Sequence, residues 1–143
     1  TAAGFVVACG GGDSDAPVAS DGGDQALFDA VADVELEVAL SEFTFDPETA
    51  ELPVGELVAI TLRNDGSTEH DFTIKRIDGA QAYRLDDEPP SIDRADGEDV
   101  HVALLPGTSA ELRLRVTEPG EYELYCAVSG HRRAGMRTTL TVR

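Results

Sequence analysis

From residue 34 onward the chain repeats one polarity pattern: apolar residues at alternate positions in short runs, each run ending in Gly, Pro, Asn or Asp. Val34, Leu36, Val38 and Leu40 form the first run, and Val58, Ile60 and Leu62 lead into the turn Asn64-Asp65-Gly66. His70, Phe72 and Ile74 then share a face, as do Leu112, Leu114 and Val116 after Leu105-Pro106-Gly107. Glu118-Pro119-Gly120 separates that run from Tyr122, Leu124 and Cys126, and Leu140 and Val142 alternate with Thr139, Thr141 and Arg143 at the end. A period of two marks half-buried strands, and turn residues at this spacing favour an all-β sandwich. Val100–Leu104 reads as one more short strand. Residues 76–99, rich in Asp and Glu with Pro89-Pro90, read as a long surface excursion.

The first thirty residues do not share this pattern. Ala2–Ala8 is a short apolar run ending Val6-Val7-Ala8-Cys9, which resembles a bacterial lipobox with Cys9 as the lipidated residue. The run is too short to span a bilayer. Gly, Ser and Asp dominate residues 10–24, a composition that cannot bury enough apolar surface to order itself and that suits a tether. The expected organisation is a signal-peptide remnant at 1–8, a tether at 9–30 and one folded domain at 31–143. A Cys9–Cys126 disulfide is disfavoured, because it would tie the tether to the core and consume a strong metal ligand.

The 143 residues suffice for one modest core, and 41% hydrophobic content argues against disorder throughout. A formal net charge of −17 makes nucleic acid and anionic lipid poor partners. The charge is uneven: Arg132, Arg133, Arg137 and Arg143 occur without an acid after residue 125, whereas the preceding chain sets seven bases against 28 acids. A basic spot on an acidic body would favour an acidic partner face.

That basic stretch also holds the chemistry. Cys126, His131 and Met136 are spaced Cys-x4-His-x4-Met, and Gly130 and Gly135 precede the last two ligand types, where they allow the loop to turn back. A thiolate, an imidazole and a thioether suit copper, and a second imidazole would complete a trigonal His2Cys site with a weak axial Met. His70, on a distant strand with its face toward the core, is the expected fourth ligand, while His101 reads as structural or exposed. Taken singly, Cys126 and Met136 would be core residues and His131 a surface one; their joint spacing points to a site.

With His70-Asp71-Phe72, Val100–Thr108, Tyr122–Cys126 and the Gly-His-x3-Gly-Met loop, the chain resembles the cupredoxins. Its loop spacing is similar to the rusticyanin, auracyanin and sulfocyanin branch. The resemblance covers about residues 33–143 and implies a Greek-key β-sandwich or barrel of about eight strands. It implies one copper ion at His70, Cys126, His131 and Met136, with Asp71 and Asn64 supporting them. Two departures stand out: Ser129 occupies a position where many relatives have Pro, and Asp71 one where they often carry Asn or Ser.

The implied function is one-electron transfer, with Ala127, Val128, Arg132, Arg133 and Ala134 forming a docking surface for redox proteins of the cell envelope. The expected protein is a non-enzymatic, extracytoplasmic monomer that meets the membrane only through a lipid anchor at Cys9. Two other functions remain open: a copper carrier or storage module, and a metal-free scaffold domain. An oxidase cluster would need histidines flanking Cys126, where Tyr125 and Ala127 stand.

Overall fold

In a computed structural model the described residues are 27, 29–77, 79–85, 91–93 and 99–143. Cys9, the remnant at 1–8, nearly all of the tether and residues 86–90 and 94–98 of the acidic excursion lie outside them.

Eleven strands occur among the described residues, in two sheets. One sheet contains β1 (Val34–Ser41), β2 (Thr44–Asp46), β4 (Leu57–Asn64), β6 (Ala80–Arg84) and β9 (Ser109–Val116), in the order β2-β1-β4-β9-β6. The other contains β3 (Ala50–Leu52), β5 (His70–Ile74), β7 (Ser91–Asp93), β8 (Asp99–Leu104), β10 (Gly120–Tyr125) and β11 (Arg137–Val142), in the order β3-β11-β10-β5-β8-β7. β1 pairs parallel with β4, and β11 with β3; the other pairings are antiparallel.

The alternating runs become strands because one face of each is covered by the opposite sheet. Leu40, Ile60, Leu62, Phe72, Leu112, Leu114, Leu124 and Leu140 belong to one buried core. Phe45 from β2 meets Phe72 from β5 edge to face, 6.4 Å between ring centres. β5 departs from simple alternation, because all five of its residues are buried, including His70, Asp71 and Thr73.

The described parts of the excursion at 76–99 include two short strands. Ala80–Arg84 adds to the edge of one sheet beside β9, and Ser91–Asp93 adds to the edge of the other beside β8. Such edge strands are held by main-chain hydrogen bonds on one side, so they need no apolar period and leave little trace in the sequence. The same reasoning applies to β2 and β3, each three residues long.

This topology brings three connections together at one end of the sandwich: the β1–β2 turn, the β4–β5 segment and the β10–β11 loop.

Candidate metal centre

Cys126 follows β10 directly and is fully buried, and His70 opens β5, the strand paired with β10. The Asp71 main-chain N–H donates to Cys126 Sγ at 3.2 Å, so the two strands hold the sulfur between them. The loop from 126 to 136 is closed by its own backbone. Cys126 N–H donates to Met136 O (3.0 Å), and Met136 N–H donates to His131 O (3.0 Å). His131 N–H in turn donates to Val128 O at 3.0 Å. Gly130 and Gly135 have φ of 85° and 109°, angles that side-chain-bearing residues rarely adopt, and these reversals close the loop on itself. Met136 is thereby buried next to Cys126 and His131 along the main chain.

The result is a compact donor group. One ligand atom from each of His70, Cys126 and His131 lies within 4.8 Å of the other two. His131 Nδ1 is 3.5 Å from Cys126 Sγ, and the two imidazole centres are 5.0 Å apart. Metal–nitrogen and metal–sulfur bonds of about 2.0 and 2.3 Å place ligand atoms at comparable separations. His70 carries both ring nitrogens buried without a hydrogen-bond partner. Such atoms are costly in a folded protein, and a bound cation removes the cost at the one nitrogen it takes. The donor set therefore fits a soft transition metal, and two imidazoles with a buried sulfur suit copper.

The protonation preferences agree. Burial pushes the His70 imidazole down from its usual range, assisted by His131, so it presents a neutral lone pair. Burial pushes the Cys126 thiol up, against hydrogen bonds from the Asp71 and Val128 main chain. A metal must displace that proton on binding, which makes affinity fall with acid.

The residues expected to support the ligands take separate positions. Asn64, fully buried, donates from Nδ2 to Thr68 O (2.9 Å) and Leu104 O (2.8 Å), while its Oδ1 accepts from Gly66 N–H (2.9 Å). It thus ties the β4–β5 connection to the end of β8, where Leu104 pairs with His70. The Asp71 side chain points away from the donor group, its Oδ2 lying 3.0 Å from His101 Nε2. What joins the ligand-bearing segments is the Asp71 main-chain N–H, which any residue type but proline could supply at that position. His101 stays outside the donor group.

The expected docking residues surround the loop. Ala127, Arg132, Arg133 and Ala134 are exposed and Val128 is half-buried. Arg132 is not a free cation, since its guanidinium makes two 2.7 Å bonds to Glu123 and covers the Tyr125 ring at 4.7 Å. Arg143 pairs with Glu51 through one 2.9 Å bond. Two residues that the sequence pattern did not single out also border the site. Glu42 Oε1 is 3.9 Å from His70 Nε2, and the Phe43 ring meets His131 edge to face at 5.4 Å.

Comparison with known proteins adds four findings. The profile of the cupredoxin-like domain family matches residues 19–142. The copper-resistant cuproprotein CopI of Rubrivivax gelatinosus is 32% identical over 116 residues, covering 80% of this chain and 69% of that protein. CopI of Pseudomonas aeruginosa is 28% identical over 143 residues, covering 79% and 78%. Among solved structures, reduced auracyanin from Roseiflexus castenholzii superposes with a TM-score of 0.60 at 22% identity, covering 79% of this chain and 99% of that one. The auracyanin likeness bears out the fold.

Proposed function

The chain belongs to the cupredoxin-like domain family, and from that membership we propose that it is a mononuclear type 1 copper protein carrying single electrons outside the cytoplasm. His70, Cys126, His131 and Met136 would hold the ion. The observation that carries this reading is the convergence of His70, Cys126 and His131 donor atoms within 4.8 Å, with both His70 nitrogens unpartnered. Bound copper would supply reversible one-electron chemistry.

The protein's part is to hold the ligands still. Cys126 and His70 are clamped by paired strands, so they would shift little between oxidation states. Burial of Cys126, Met136 and His70 keeps water from the donor group. His131 is the half-buried member and lies toward the exposed loop, so its imidazole edge is the natural electron exit. Ala127, Val128 and Ala134 around it would form a small docking face, suited to the weak interfaces of electron-transfer pairs. The partners would be redox proteins of the envelope, with Cys9 as the lipid-anchored residue.

Titration of the purified protein with Cu(II) tests the reading. An intense thiolate-to-copper absorption band should appear in the wild type and vanish in Cys126→Ser, with the circular-dichroism spectrum of the fold unchanged. A wild-type protein that binds copper without this band would refute the type 1 assignment.

The likeness to copper-resistant CopI favours a second role for the same ligands, that of holding copper in a tolerance system. The two roles differ in metal release. Copper that stays bound through many oxidation and reduction cycles in the presence of a thiol chelator supports the carrier. Copper lost to the chelator faster than one redox cycle supports the tolerance role.

A further inference from the structure

The β1–β2 connection is a two-residue turn, Glu42-Phe43, between paired Ser41 and Thr44. Two-residue hairpin loops need left-handed backbone and usually recruit Gly or Asn for it. Here Phe43 takes φ of 63° and is 44% exposed. A bulky residue in that region is strained, and such strain persists where the surroundings enforce it. The turn places its two side chains on the two imidazoles of the donor group, Glu42 beside His70 and Phe43 against His131.

Glu42 is fixed from the far side. Its Oε1 accepts from the Ser67 main-chain N–H (2.5 Å) and from Ser67 Oγ (2.8 Å), in the segment that leads into His70. Those hydrogen bonds hold the carboxylate in place beside the ring. The space between the carboxylate and the ring exists because residue 66 is glycine. A Cβ there would sit 2.6 Å from His70 Nε2 and 2.9 Å from Glu42 Oε1. His70 Nε2 is therefore enclosed by the turn and by Gly66, with one anionic acceptor nearby.

We propose that Glu42 is the positioning residue of His70: its carboxylate attracts the proton of the imidazole to Nε2 and leaves Nδ1 with the lone pair that the ion takes. A ligating histidine commonly directs its second nitrogen to a carboxylate or carbonyl, which sets both tautomer and ring orientation. Here the group comes from a turn on the opposite sheet, whereas the residue beside the ligand, Asp71, is engaged with His101. The assignment rests on the copper-site reading for its purpose, but the tautomer belongs to the metal-free protein and is measured there.

The test is long-range 1H–15N correlation of the histidine rings in the metal-free, full-length chain. His70 should carry its proton on Nε2 in the wild type. Glu42→Ala should shift it to a mixture or to Nδ1. Glu42→Gln, which keeps the shape of the side chain and loses its charge, should shift it in the same direction. In the copper-loaded protein Glu42→Ala should release the metal about tenfold faster, while both variants raise the reduction potential by removing an anion beside a ligand. A wild-type His70 with its proton on Nδ1, or a Glu42→Ala protein with unchanged tautomer, would overturn the assignment. Failure of the thiolate-to-copper band would instead refute the type 1 assignment, and the tautomer would still decide the role of Glu42.

Discussion

Gly66 shows how far a single residue can govern the site. Its missing side chain makes room for the His70 ring, which is buried and held on a central strand, so the ring cannot retreat as a surface side chain would. Gly66→Ala should destabilise the metal-free protein by about 1–3 kcal/mol, the usual cost of overpacking, and should weaken copper binding. Urea denaturation without metal, followed by copper titration, measures the two effects separately. Asn64 acts at the same scale through hydrogen bonds rather than space. Its three bonds tie the segment before His70 to Leu104 on β8. The Asn-Asp-Gly sequence announces a turn, but nothing in it says that the Asn would reach Leu104, forty residues away. The convergence of Cys126 and His131 is legible at this scale, because a short loop forces nearby residues together. Glu42 was not legible, because an exposed acid in a turn has no distinguishing neighbours in sequence.

Among the elements, the β5–β8 pair couples stability to pH. Asp71 on β5 and His101 on β8 face each other, and the Asp71 carboxylate raises the His101 imidazole above its ordinary range, against a partial desolvation. A raised pKa in the folded protein contributes stability that is fully present below the unfolded value of about 6.5. That contribution is lost as pH rises through the folded value. His70 has the opposite sign: it is held down in the folded protein, so acid below about 6.5 favours the unfolded chain. The difference in metal-free stability between wild type and His101→Gln isolates the first contribution. It should favour the wild type near pH 6 and shrink by pH 8, as read by urea midpoints. The same strands illustrate the limit of pattern reading. Alternation in β1 and β9 predicts which residues are inside, because one face of each meets the opposite sheet, whereas in β4 Leu57 and Ala59 are buried as well as Val58, Ile60 and Leu62. β5 has both faces buried, so Asp71 and Thr73 enter the interior at positions that alternation assigns to solvent.

For the molecule as a whole, the distribution of charge matters more than its sum. The arginines near the ligand loop stand out against a net charge of −17, yet folding brings Glu123 to Arg132 and Glu51 to Arg143. Arg133 and Arg137, both exposed, carry the basic character that remains in the loop region. Electron exchange of the copper-loaded protein with ferricyanide should be slower in Arg133→Glu than in wild type at about 0.01 M salt, where fields reach ~30 Å. The gap should close near 1 M, where they reach ~3 Å. An equal gap at both salt concentrations would assign the effect to local structure rather than to the field. The sequence alone determined the sandwich class, the strands with a clear two-residue period and the sulfur-imidazole-thioether loop, because pleat and loop closure act over a few residues. Only the tertiary structure decided that β6 and β7 complete the sheet edges, that the Asp71 side chain serves His101, and that Glu42 stands beside His70. Those outcomes depend on register and side-chain direction between strands distant in the chain, which no local pattern records.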